Sequence, residues 1–289
     1  MNDKIEEVSE VKFSNKLKSH PVCLTTKGDV SIEMQKVFDA MPNDMGINAQ
    51  TILEINEKHP ISEKLKDLVM FYSSKHKRLV TFKEYVEEMK DGQEAIYYAS
   101  GASIEKINSL PQVEQVKDKE YDILYLTDYV DEFCITAIQE YDKKKFTNVS
   151  DGNLDLDTEE EKKEIKEVNE DNSDLLKSMT DMLEEVSEVK FSNKLKSLPV
   201  CLTTKGDVSI EMQKVFDAMP NDMGIKAQTI LEINEKHPIS EKLKTLYKDD
   251  REEFDIYTKI LYTEARMIAG LPIENPTEIS RLICEVISK

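Results

Sequence analysis

The sequence predicts an α+β protein of more than one domain. Three observations carry that prediction: one long unit occurs twice, a stretch over 79–149 alternates between strand and helix patterns, and two amphipathic helices close the chain. Alternating strands and helices argue for a sheet covered by helices. Amphipathic stripes at a terminus need a surface to bury them.

The repeat comes first because a missed repeat misreads the architecture. Residues 6–66 align with 184–244 without a gap and differ at two positions, His20 against Leu198 and Asn48 against Lys226. Solenoids carry many degenerate copies at short period, so a near-identical, distant pair is no array. A very recent duplication, an engineered recombinant and a fault of gene assembly all fit such a pair. Within the unit, "VKFSNKL", "PVCLTTKG" and "ILEINEKHP" read as strands. Between them Val30, Met34, Val37, Phe38 and Met41 recur at helical spacing behind Asp29, a candidate N-cap. Pro60 suits the first turn of a helix. Ile61, Leu65, Leu68, Val69 and Tyr72 keep helical phase beyond it, so one fused helix is expected to run to about Ser73.

From Leu79 onward, Thr81 with Glu84 forms a capping-box signature for "FKEYVEEMK". Asp91-Gly92 turns into the strand "AIYYAS", and Ser103 can cap "IEKINSL". "YDILYLTD" reads as a central strand, "YVDEFCITAIQEY" as a helix and "KKFTNVS" as a strand, giving a small, largely parallel sheet. Asp151 to Asp174 holds eleven acids and three lysines and reads as a solvated linker, with "SDLLKSMTDMLEEV" apolar enough for a helix after it. Two elements follow the second unit. One helix aligns Phe254, Tyr257, Ile260, Leu261, Ala265 and Ile268; the other, capped by Asn275 and Glu278, aligns Ile279, Leu282, Ile283, Val286 and Ile287. Pattern alone leaves open whether the same subunit or a helix-bundle dimer covers this stripe.

Composition narrows the function. A formal net charge of −19 repels nucleic acid and anionic membranes, leaving proteins as the expected partners. No apolar run approaches the ~18 residues a membrane helix needs, and the charged start has no signal-peptide core, so a cytoplasmic location is expected. Cys23, Cys134, Cys201 and Cys284 sit far apart in apolar segments and read as small buried thiols. The eight glycines form no phosphate-cradling loop, His20, His59, His76 and His237 do not cluster as metal ligands, and no serine sits in a GxSxG elbow. The acidic run "DGNLDLDTEEE" has its glycine misplaced for an EF-hand. No catalytic centre, metal site or cofactor is expected.

Three separated blocks, "KEYVEEMKDGQEAIYYASG", "DILYLTDYVDEF" and "AGLPIENPTEISRLICEVISK", occur in the order found in bacterial heat shock protein 90 chaperones. The chain from about Leu68 to Lys289 resembles that family. The resemblance implies a small αβα sandwich subdomain of the middle domain at 67–150 and an α+β dimerisation domain ending in a helix bundle at 175–289, on either side of the acidic linker read from composition at 151–174. Residues 1–66 are then an extra partial copy of the last, standing where most of the middle domain would be. It could fold as a satellite or compete for the C-terminal helices.

The resemblance also implies client binding on two patches, Glu132, Phe133 and Thr136 on one and Val208, Met212, Val215 and Phe216 on the other. Phe133 stands where some members carry tryptophan. The first copy repeats the second patch as Val30, Met34, Val37 and Phe38. On pattern alone that helix stripe is core; in the family it faces the dimer cleft, where flexible methionine suits varied partners. Phe254, Tyr257, Leu261, Ile268, Ile279, Leu282, Ile283 and Val286 are implied at a homodimer interface. The family's ATP-binding domain has no counterpart, so ATP hydrolysis is not implied, and neither is the acidic tail that recruits tetratricopeptide cochaperones. Two functions follow: an ATP-independent holder of unfolded clients, or a structural dimerisation module, including a recombinant without chaperone activity.

Overall fold

A computed structural model of the chain describes residues 10–14, 22–27, 50–56, 64–128, 130–154, 156–183, 185–206, 208–217 and 225–288. The helix expected over 30–41, with Val30, Met34, Val37, Phe38 and the Asp29 cap, lies outside them.

The chain opens with a three-stranded sheet of β1 (Glu10–Ser14), β2 (Val22–Lys27) and β3 (Gln50–Asn56). β3 is central, parallel to β1 and antiparallel to β2. A helical turn at 64–66 follows, and then the expected fused helix fails. β4 (Met70–Ser73) is a strand, antiparallel to β5 (Leu79–Thr81) and to the later strand at Leu124–Leu126. The helical phase over Leu65 to Tyr72 was shared with a short strand, because brief apolar runs fit both periods. Phe71 and Tyr72 settle it by packing into the cores on opposite faces of the sheet, as period-two alternation requires.

The next unit has helices α1 (Phe82–Glu87), α2 (Ile104–Asn108), α3 (Pro111–Asp118) and α4 (Asp131–Ile138). Between them run β6 (Ala95–Ser100), β7 (Leu124–Leu126), β8 (Glu140–Tyr141) and β9 (Lys144–Asn148). The sheet order is β5-β4-β7-β6-β9-β8. Only β7-β6 and β6-β9 pair in parallel, so the sheet is mixed rather than largely parallel. Both faces are covered, making an αβα sandwich. Ile96, Leu124 and Leu126 meet Phe82, Tyr85 and Ile135 on one face; Tyr97, Ala99 and Tyr125 meet Ile107, Val113 and Val116 on the other. The Thr81 capping box is formed: the Thr81 hydroxyl accepts the Glu84 amide at 3.2 Å, and Glu84 accepts the Thr81 amide at 2.8 Å. Gly92 takes the positive φ that its turn needs.

The acidic segment expected to be solvated linker is mostly helix. Thr158 and Glu161 close a second capping box ahead of α5 (Glu159–Asp171), where three glutamates in the first turn favour the helix dipole. Ile165 and Val168, three apart, pack on the C-terminal core. Asn169 donates to the Phe191 carbonyl at 3.0 Å and accepts the Phe191 amide at 2.9 Å, satisfying both backbone groups of a strand residue. α6 (Ser173–Met182) follows, as expected.

β10 (Val186–Ser192), β11 (Val200–Lys205), α7 (Ile210–Asp217) and β12 (Gln228–Asn234) come next. Their sheet, β10-β12-β11, has the strand order and pairing senses of the first. Val200 faces Ile233 as Val22 faces Ile55. α8 (Pro238–Asp249), α9 (Arg251–Ile268) and α10 (Pro276–Ile287) complete the chain. Pro238 begins α8, and the His237 ring accepts the Ile239 amide at 3.2 Å, so this histidine is a cap. Phe254, Leu261 and Ala265 of α9 seal one face of the sheet with Leu175 and Met179 of α6. Of the four free thiols only Cys201 is buried; Cys23 and Cys134 are half-buried and Cys284 is exposed, so the expectation of four buried thiols holds for one.

Candidate functional site

The two patches inferred for client contact, distant in sequence, meet in space. Ser209 caps α7 with its hydroxyl, which accepts the Met212 amide at 3.0 Å and donates to Glu132 at 2.7 Å. Asn148, at the end of β9, donates to the other Glu132 oxygen at 2.8 Å. Phe133 and Phe216 then touch edge to face, with ring centroids 5.8 Å apart. The result is a polar latch under an aromatic contact, joining α4 to α7.

Burial differs from a fully displayed stripe. Glu132 is 4% exposed and Met212 8%, whereas Phe133, Val215 and Phe216 are half-buried and Thr136 is exposed. Val208 precedes α7 rather than lying on it, because Ser209 starts the helix. The Thr136 hydroxyl is turned back onto the Glu132 carbonyl at 2.9 Å. Burial pushes the Glu132 carboxyl above its ordinary range and Glu211 pushes the same way, against the hydrogen bonds from Ser209 and Asn148. α7 is held at its middle too: Lys214 donates to the Ala269 carbonyl at 2.7 Å, and Gln213 accepts the Ala227 amide at 2.9 Å.

A second contact joins the sandwich to β11. Thr204 donates to the Ser150 carbonyl at 3.0 Å and accepts the Gly152 amide at 2.8 Å, so the segment after β9 lies along the β11 edge. Gln112 of α3 donates to the Leu202 carbonyl at 2.8 Å. Lys190 and Lys194 both reach the Gly152 carbonyl, at 3.2 and 2.9 Å, and flank Glu232, which is fully buried. Burial alone would raise the Glu232 carboxyl, but the two lysines and the Thr203 hydroxyl hold it below its ordinary value. Gly152 makes a close approach: a Cβ there would meet Ile230 Cδ1 at 2.9 Å and the Thr204 carbonyl at 3.2 Å, and these neighbours would have to shift.

The third feature is at the C-terminus. An apolar cavity of about 270 Å³ opens between the start of α8, α9 and α10, lined by His237, Ile239, Tyr257, Ile260, Ile283 and Ile287 among others. The inferred dimer residues divide here. Phe254, Leu261 and Leu282 are buried within the chain; Tyr257, Ile268, Ile279 and Val286 are half-buried; Ile283 is 37% exposed, and Ile287, outside that inferred set, is 78% exposed.

Asn148, Ser209, Gln112, Gly152 and the Lys190-Lys194-Glu232 cluster carry these contacts and were not singled out from sequence. One signal was available: Glu232 stands inside the apolar strand "ILEIN". Among the described residues no group of acids, cysteines and histidines could hold a metal ion, and no helix is long and apolar enough to cross a membrane.

The sandwich is thus latched to the α+β domain beside an aromatic junction, and an apolar groove lies at the C-terminal helices. The family model for Hsp90 protein matches residues 62–289, and the chain belongs to the Hsp90 family. It is similar to the chaperone protein HtpG of Clostridium perfringens (strain 13 / Type A), 48% identical over 225 residues, which are 78% of this chain and 36% of that protein. Chaperone protein HtpG of Bacillus velezensis is 47% identical over 77% of the chain and 36% of its own length. The Bacillus subtilis (strain 168) protein of that name is 44% identical over 78% and 36%. The chain thus spans about a third of the length of these relatives, and residues 1–61 lie outside the family match.

Proposed function

We propose that the chain is an ATP-independent, client-holding segment of an Hsp90-type chaperone, pairing through its C-terminal helices and acting in the cytoplasm. The observation that carries this reading is the α4-α7 junction, where Phe133 and Phe216 meet at the surface beside Val215. Unfolded chains expose apolar side chains, and each covered on this rim gains roughly 25 cal/mol per Å². The latch beneath fixes the rim's shape, and pairing of two copies would set two rims across one cleft. No nucleotide takes part.

A structural dimerisation module is the competing reading, favoured by the burial of Glu132 and Met212. Suppression of aggregation of a heat-denatured protein separates them. The chain should protect, and Phe133→Glu with Phe216→Glu should remove most of the protection while far-UV circular dichroism stays unchanged. Equal protection by this variant would put the holding surface elsewhere; no protection by the parent chain would leave the dimerisation module.

A further inference from the structure

The surface that receives the sandwich is written twice in the chain, but the sandwich is present once. The sandwich is held by Thr204 and the Leu202 carbonyl of β11 and, beside that strand, by Lys190 and Lys194 of the cluster around Glu232. The first copy repeats these as Thr26, Leu24, Lys12, Lys16 and Glu54, and β2 pairs with β3 in the register of β11 on β12. Neither position at which the copies differ, His20 or Asn48, is among them.

At the two strand positions Cys201 and Leu202 and their counterparts Cys23 and Leu24, the copies are in different surroundings. Cys201 and Leu202 are 1% and 2% exposed, whereas Cys23 is half-buried and Leu24 is 50% exposed. Thr26 faces Thr51 as Thr204 faces Thr229, so its amide and carbonyl point along the outer edge of β2, as those of Thr204 do toward Ser150 and Gly152.

The geometry points to β2 as a second docking strand for the sandwich of another copy of this chain, through its Ser150–Gly152 segment and Gln112. A chain's own sandwich is badly placed to reach β2. It follows the helical turn at 64–66 after only 67–69, a connection spanning about 10 Å. In the second copy the matching helix, α8, packs with Leu243 on the helix-covered face of the sheet, opposite the face that carries Gly152. A second copy has no such tether. Because the docking residues are the same, exchange between β11 of one chain and β2 of another conserves contacts, and concentration sets the balance, as in domain swapping.

The test is the rate of N-ethylmaleimide labelling at Cys201 and Cys23 in the full chain, read by mass spectrometry over a range of protein concentrations. Exchange frees β11 and covers β2, so Cys201 labelling should speed up and Cys23 labelling slow down as concentration rises. Thr26→Pro removes the outward amide of an edge strand, where proline is tolerated. It should abolish both dependences and slow Cys201 labelling at high concentration by about tenfold or more, as when a competing state is removed. Labelling that is independent of concentration at both cysteines, or a dependence that survives Thr26→Pro, overturns the proposal. Association through the C-terminal groove survives that substitution and is counted separately.

Discussion

Glu132 and Glu232 are buried carboxylates at the two contacts of one junction, and they respond to acid in opposite senses. The carboxyl of Glu132 is raised from 4.5, chiefly by burial. Its protonated form suits the fold, so its stabilising contribution is full below 4.5 and is lost as pH rises through the folded value. Hydrogen exchange at the Met212 amide should therefore quicken from acid toward neutral pH, after correction for the intrinsic rate. Glu132→Gln should flatten that slope, and an unchanged slope would contradict the assignment. Burial works against Glu232, but the lysines win and its carboxyl lies below 4.5. Its contribution is present above 4.5 and is lost as pH falls through the depressed value, so strong acid should release the segment around Gly152 first. The repeated leucines give a matched pair of experiments. Leu202→Ala, 2% exposed in the wild type, should cost about 2–5 kcal/mol. Leu24→Ala, 50% exposed, should stay within about 0.5 kcal/mol by urea unfolding.

Element by element, local chemistry was readable where a signal had one meaning. The Thr81 and Asn275 caps, the Gly92 turn and the helices α9 and α10 stand where sequence placed them, and the α9 stripe packs into the core. Two readings of element type failed for distinct physical reasons. Leu68 to Ser73 fits a helix by phase, and only pairing with β5 and with the distant β7 makes Met70 to Ser73 a strand. The acidic segment looked coreless because its charge hid two apolar residues, Ile165 and Val168, and its Thr158-Glu161 capping box was overlooked. Thr158→Ala should raise exchange in the first turn of α5 and cost about 1 kcal/mol; no change would mean that packing on β10 alone holds this helix. The α4-α7 junction was partly legible: its aromatic residues came from family resemblance, but Ser209 and Asn148 gave no signal, because a latch between distant elements leaves no spacing to read.

At the scale of the molecule, the proposed partners would meet three surfaces: the aromatic rim, the β2 edge and the C-terminal groove. The groove decides whether the rim can work as half of a cleft. Ile283 and Ile287 leave apolar area uncovered beside Tyr257 and Ile260, and a second copy of α9 and α10 would cover it in the manner of a helix bundle. The most direct measurement is molar mass by light scattering over a range of concentrations, with Thr26→Pro in place to silence the β2 edge. A dimer that becomes a monomer on Ile283→Glu is the expected result. A monomer throughout, or a dimer indifferent to Ile283→Glu, would contradict pairing through the C-terminal helices and leave the chain without the cleft that client holding requires.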